Sequence, residues 1–72
     1  MMAVRGRWRW TCVARCNLHV YDPGYTGTQQ RVSGRGWGNS EDEACLDAQK
    51  AAKRKAPRGT YPRHCHCRCE RK

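Results

Sequence analysis

The stretch Arg63-His64-Cys65-His66-Cys67-Arg68-Cys69 decides how the rest of the chain is read. It alternates residue by residue. In an extended conformation Cys65, Cys67 and Cys69 fall on one face, and His64, His66 and Arg68 on the other. Three of the six cysteines therefore share one side of one short strand. That side is expected to form a covalent core, and the imidazole and guanidinium side to belong to the working surface.

A similar pattern occupies the N-terminal third. Trp8, Trp10, Cys12, Ala14, Cys16, Leu18 and Val20 hold every second position, with Arg9, Thr11, Val13, Arg15, Asn17 and His19 between them. This predicts a long half-buried strand. Asp22-Pro23-Gly24, with Gly27 close behind, reads as a turn. A second extended stretch is predicted from about Thr28 to Trp37. Folding the hairpin about Gly24 sets Cys16 opposite Val32, Ala14 opposite Gly34 and Cys12 opposite Gly36. Val32, Gly34, Gly36 and Gly38 then share the core side, while Arg31, Ser33, Arg35 and Trp37 look outward.

Glycine weakens a strand, so this run of glycines needs a reason. The next segment supplies one. Ser40-Glu41-Asp42-Glu43 reads as a capping box, with Ser40 as N-cap and Glu43 three residues in. The helix is expected to run to about Lys55 and to stop before Pro57 and Gly59. At helical periodicity Ala44, Cys45, Ala48, Ala51 and Ala52 form one stripe. An alanine stripe over a glycine strand lets helix and sheet approach closely. Glu41, Asp42 and Glu43 at the helix start, and Lys50, Lys53, Arg54 and Lys55 towards its end, suit the helix dipole. Leu46 falls beside Lys50 and Lys53 on the polar side and is expected to be partly exposed.

Arg58 to Arg63 is predicted to be a connector before the cysteine strand. The expected fold is α+β in the order β-β-α-β. A right-handed crossover runs the third strand parallel to the second. The first strand then lies between them, antiparallel to both, giving a three-stranded sheet of order 2-1-3 on one helix. Residues 1–72 are read as a single small domain, with no internal repeat or low-complexity linker.

Cys12 and Cys16 are four residues apart, and so are Cys65 and Cys69. In an antiparallel pair Cys12 can oppose Cys69 while Cys16 opposes Cys65. Cys67 then faces Ala14, and Cys45 in the first helical turn can lie above it. The expected disulfides are Cys12–Cys69, Cys16–Cys65 and Cys45–Cys67; a slip of two residues would change the partners. Joining the first strand to the last closes a loop worth roughly 4 kcal/mol in the chain-entropy model. The alternative is a zinc held by Cys45, Cys65, Cys67 and Cys69, with His64 or His66 close by. Common zinc sites use C-x-x-C knuckles, whereas this chain has C-x-x-x-C and C-x-C-x-C. A flat strand also turns His64 and His66 away from the thiols. Disulfides and no cofactor are therefore the expectation.

The bulk properties agree with a crosslinked domain. A chain of 72 residues without Phe buries little apolar surface and needs help to stay folded. Its formal charge of +9 points to a polyanionic partner: nucleic acid, an anionic membrane surface or an acidic protein. No apolar run is long enough to cross a membrane. Met1 to Arg9 carries charge but no apolar core, so a signal peptide of its own is not expected. Many cysteines without such a signal pose a conflict. One resolution is a domain excised from a longer exported protein, with Met1 added for expression; the other is a cytosolic metal-bound domain.

The outward face would gather Arg7, Arg9, Arg15 and His19 from the first strand, Arg31, Arg35 and Trp37 from the second, and His64, His66 and Arg68 from the third. Arg5 and Tyr21 stand near its edges. Arginines at strand spacing suit phosphates, and rings can stack on bases. The nucleic-acid contacts are assigned to Arg7, Arg9, Arg15, Arg31, Arg35, Trp37 and Arg68. The plain reading is the solvated side of a small sheet, which must be polar in any case. Catalysis would rest on His64 and His66, with His19 nearby. Two histidines and a cation are a sufficient set for metal-independent RNA cleavage: one base, one acid, and charge for the phosphorane. Histidine pairs in strands carry no such meaning without geometry. There is no P-loop, no HExxH and no serine elbow. The acids gather at the helix start, which argues against a metal-dependent nuclease centre on the sheet.

Two further classes stay open. Arg7-Trp8-Arg9-Trp10 is typical of interfacial binders and would suit a membrane-active cationic antimicrobial protein, although Trp8 and Trp10 fall on the core face. A non-enzymatic zinc or disulfide interaction module is the other. A monomer is expected.

Val32-Ser33-Gly34-Arg35-Gly36-Trp37-Gly38-Asn39-Ser40, followed by Ala44, Ala48, Ala51 and Ala52, resembles the C-terminal half of a double-stranded RNA-binding domain. That family has a glycine-rich strand end, a serine and an alanine-rich helix. It places phosphate-gripping lysines after the serine, where this chain has Glu41, Asp42 and Glu43, and it has a first helix that this chain lacks. The resemblance implies the fold more than duplex-RNA binding. The ending, Pro57-Arg58-Gly59 through His64-Cys65-His66-Cys67-Arg68-Cys69, resembles small cysteine-rich C-terminal domains of bacterial polymorphic toxins of the Rhs kind. That resemblance implies a secreted antibacterial toxin domain, released from a large carrier into a target cell and neutralised by an acidic immunity protein.

Overall fold

A computed structural model describes residues 9–71. Arg5, Arg7 and Trp8, read above as surface and strand residues, lie outside the described residues. The elements follow in the order β1 (Trp10–Val20), β2 (Arg31–Gly38), α1 (Glu41–Lys55) and β3 (Thr60–Arg71). The sheet order is β2-β1-β3, and both pairings are antiparallel. The α+β fold expected from the sequence is the fold observed.

The β1–β2 register pairs Cys12 with Gly36, Ala14 with Gly34 and Cys16 with Val32, as the symmetric hairpin predicts. β2 is shorter than expected, beginning at Arg31. The chain reverses at Asp22, whose carbonyl accepts from Tyr25 N–H (3.0 Å) and whose Oδ1 accepts from Gly24 N–H (2.9 Å). An aspartate that satisfies its own turn is a usual way to start one.

Ser40 caps α1: Glu43 N–H donates to Ser40 Oγ (3.2 Å). The return arm of the capping box is displaced by one residue, because Glu43 Oε1 accepts from Asn39 N–H (3.1 Å). The helix ends at Ala56, in extended backbone with ψ 132°, as the residue before Pro57 must be.

Ala44, Ala48 and Ala52 are fully buried against β2, while Cys45 and Ala51 are half-buried. The glycines of β2 are required by that approach. A Cβ on Gly34 would meet backbone atoms of Ala48 and Ala52, one on Gly36 those of Ala44 and Ala48, and one on Gly38 would come within 2.6 Å of Ala44 N. Leu46 is exposed, as its position on the helix predicts.

The three disulfides are Cys12–Cys69, Cys16–Cys65 and Cys45–Cys67, with Cα–Cα distances of 4.0, 4.0 and 5.8 Å. The first two bind β1 to β3, and the third binds α1 to β3. The four sulfurs that a zinc alternative needs are thus all oxidised and paired. Among the described residues no group of three or more His, Cys, Asp or Glu is placed to hold a metal ion. The buried cluster is small in every sense: Cys12, Ala14, Cys16, Val32, Ala44, Ala48 and Ala52. Trp10 and Leu18 are only partly buried against it.

β3 departs from expectation in one respect. It starts at Thr60, so most of the predicted connector is strand. Arg15 pairs with His66, but Asn17 pairs with Arg63, so β3 carries one extra residue opposite Cys16. His64 is at that point with φ 53°, in the left-handed region. This is a β-bulge. Histidine is among the side chains more often tolerated there.

Candidate nucleic-acid interface

The helix covers one face of the sheet, and the opposite face carries the basic side chains. Register fixes their neighbours. Reading across β2, β1 and β3, the outward positions are Trp37, Thr11 and Glu70; then Arg35, Val13 and Arg68; then Ser33, Arg15 and His66; then Arg31, Asn17 and Arg63. His19 and Tyr61 form the last pair, on β1 and β3. Successive rows are two residues apart, or roughly 6.7 Å, and strands are about 4.8 Å apart.

Arg35, Arg15 and Arg68 surround Val13. They line an open cavity of about 210 Å³ together with Thr11 and Glu70. Val13 is half-buried and gives the depression an apolar floor, while the three arginines are exposed. Thr11 is buried at the closed end, its hydroxyl donating to Gly36 O (3.0 Å). Glu70 is the one carboxylate on the rim, so the cationic character is concentrated in the rows below it.

Rings stand at both ends of this face. Trp37 is 42% exposed at one end. At the other, Tyr61 packs on His19 with ring centroids 5.0 Å apart and stacks on Tyr21 at 5.9 Å. Arg63 Nη1 lies 2.9 Å from His19 Nδ1. A guanidinium has no acceptor, so in this hydrogen bond Arg63 donates and His19 Nδ1 accepts.

Of the nucleic-acid contacts assigned from sequence, Arg15, Arg31, Arg35, Trp37 and Arg68 share this face. Arg9 is exposed just before β1, its N–H donating to Gly38 O (3.2 Å). The structure adds Arg63 and Tyr61, which the sequence reading left in a connector. The histidines fare differently. His66 opposes Arg15, whereas His19 opposes Tyr61 four residues further along β1, roughly 13 Å away. His64 was expected to continue the row of His66 and Arg68. The bulge takes it out of that alternation, and Arg63 takes its place opposite Asn17. An acid–base pair needs both groups within hydrogen-bond reach of one phosphate, and the register does not set His19 and His66 side by side.

The helix-covered side differs in charge as well. Glu41, Asp42 and Glu43 crowd the first turn of α1. Asp47 Oδ2 accepts from Trp37 N–H (3.1 Å), so a carboxylate also closes the free edge of β2. No protein-family model matches the chain, and no curated protein and no solved structure matches it either.

Proposed function

We propose that this chain is a basic nucleic-acid-binding domain that grips phosphates with the helix-free face of its sheet. We propose further that it is the effector tip of a larger exported bacterial protein. The observation that carries the binding reading is the concentration of Arg15, Arg31, Arg35, Arg63 and Arg68, with His19 and His66, on one side of a two-layer fold. A solvated surface would mix both signs of charge, whereas these rows hold one carboxylate, Glu70, at their margin. Phosphate contacts of this kind supply most non-specific affinity and release counterions on binding.

The resemblance of residues 32–52 to half of a double-stranded RNA-binding domain supports the fold that presents the face. Three disulfides suit a chain that matures in an oxidising environment, which supports delivery outside the cell that makes it. No described helix is long and apolar enough to cross a membrane. An acidic immunity protein would find its complement on the same basic rows.

The test is a gel-shift titration with RNA and DNA across a salt series. Binding should weaken linearly in log–log form as salt rises. Arg15→Glu combined with Arg35→Glu should lower affinity by at least a hundred-fold at low salt, since each reversal both removes a phosphate contact and adds repulsion. No shift at about 50 mM salt, together with dye leakage from anionic vesicles, would instead favour the membrane-active class.

A further inference from the structure

We infer that the ligand of the basic face is single-stranded nucleic acid, its bases stacked on Trp37 at one end and on Tyr61 at the other, its phosphates held by the arginines between. This rests on the nucleic-acid reading above and narrows it.

Three observations lead to it. The first is the exposure of the rings. Trp37 and Tyr61 are 42% and 41% exposed on the charged side. A folded domain with so small a core gains nothing by leaving them uncovered. Only unpaired bases can offer a flat face to such rings, because a duplex keeps its bases stacked on one another.

The second is the spacing. From the Thr11 row to the His19 row is eight residues along β1, or roughly 26 Å. The arginines fill most of the interval, with His66 beside Arg15 in its middle row. Such a length accommodates a short single-stranded site, at the lower end of the ~4–16 nucleotides covered by comparable grooves.

The third is the boundary. Asp47 and Glu43 are engaged with backbone N–H groups at the Trp37 end of β2. A duplex lying across the sheet would bring its second backbone towards these carboxylates. A single strand running along the rows from Trp37 to Tyr61 would not. The acids at Glu41, Asp42 and Glu43 also occupy the helix start where a phosphate would otherwise be welcome.

The cluster of His19, Tyr61 and Tyr21 extends the platform at its far end. A base added beside Tyr61 would join rings already packed together, Tyr21 stacked on Tyr61 and His19 tilted against it, so little ordering is left to be done on binding.

Fluorescence anisotropy with labelled 12-nucleotide RNA and DNA single strands, and with duplexes of the same sequences, tests the inference on the oxidised protein. Single strands of at least one sugar should bind at least ten-fold tighter than the matching duplex. Tyr61→Leu and Trp37→Leu should each weaken single-strand binding about ten-fold while leaving the salt dependence unchanged. Leucine keeps apolar cover over the sheet, so both variants should fold, and Trp37→Phe should recover most of the loss. Arg15→Ala should act differently, flattening the salt slope by about 0.7. Equal binding of duplex and single strand, or folded ring variants that bind like the parent, would overturn the single-strand inference. Salt-dependent binding would then still stand, and the broader reading with it. Failure of every oligonucleotide to bind at low salt would remove both.

Discussion

Beneath the helix, the sheet presents Cys12, Ala14 and Cys16 with the glycines of β2, and the helix answers with Ala44, Ala48 and Ala52. On the other side it presents arginines, histidines and large rings. Where the helix packs, the face is made mostly of small side chains and is held by covalent bonds. The other is made mostly of exposed polar and charged side chains. Among the described residues the largest side chain that is fully buried is Cys12. Hydrophobic burial scales with apolar area, so a core of alanine, glycine and cysteine, with Val32 its one larger aliphatic residue, gains little from it. Close backbone approach and disulfides substitute for bulk. Stability and binding should therefore separate cleanly: changes under the helix should unfold the chain, and changes on the open face should alter what it holds.

The strongest way to break that comparison is to remove the crosslinks between β1 and β3. With Cys12, Cys16, Cys65 and Cys69 all changed to Ala, the loop of about 50 residues between the strands is free in the unfolded chain. The chain-entropy model sets this at about 4 kcal/mol, a large part of a small domain's stability. The expected outcome is loss of a cooperative unfolding transition by circular dichroism. Removing Cys12–Cys69 alone should be milder, at about 2 kcal/mol, because Cys16–Cys65 closes nearly the same loop four residues away. A four-alanine variant that melts like the parent would mean that packing, not sulfur, holds the layers together.

Next in size is Gly36→Ala. Its new Cβ would press on the backbone of Ala48 and stand 2.7 Å from Ala44 O. Backbone in a helix cannot yield as a flexible side chain can, so the helix must lift. The loss should be about 1–3 kcal/mol, read from the urea midpoint. Arg35→Ala, one residue earlier on the open face, should stay within about 0.5 kcal/mol. Equal losses at the two positions would show that the faces are not built differently.

Most of the fold was legible because one period governs most of it. The alternation of Cys12, Ala14 and Cys16, matched to Cys65, Cys67 and Cys69, fixes the strand pairing and both cross-strand disulfides. The alanine stripe and the glycine run explain each other. The bulge was less visible, yet it left a trace. Extending the phase of Cys65, Cys67 and Cys69 backwards turns Arg63 and Tyr61 towards the core, beside Leu18. A buried arginine without a partner is costly, so the phase has to change between Arg63 and Cys65. One inserted residue changes it. The site residues Arg63 and Tyr61 were missed because Arg58 to Arg63 reads as a connector, whereas the strand already starts at Thr60. The ring cluster of His19, Tyr61 and Tyr21 depends on that register shift and on the turn, neither of which alternation reports.

The bulge also yields the smallest and sharpest test, through His64 and His66. His64 has φ 53°, where a Cβ crowds the following carbonyl at a cost of about 1–2 kcal/mol. Glycine at this position removes the crowding, while the looser unfolded chain returns about 0.4–1 kcal/mol of the gain. His64→Gly should therefore leave stability unchanged or raise it by up to about 1.6 kcal/mol. His66 lies in regular strand, opposite Arg15. His66→Gly relieves nothing there and should lower stability by about 0.5–1 kcal/mol. Two histidines two residues apart should thus respond to one substitution in different directions, as measured by paired urea titrations. Equal destabilisation at both would place His64 back in an unbroken strand. It would also return Arg63 to the covered side, and the row opposite Asn17 would lose its arginine.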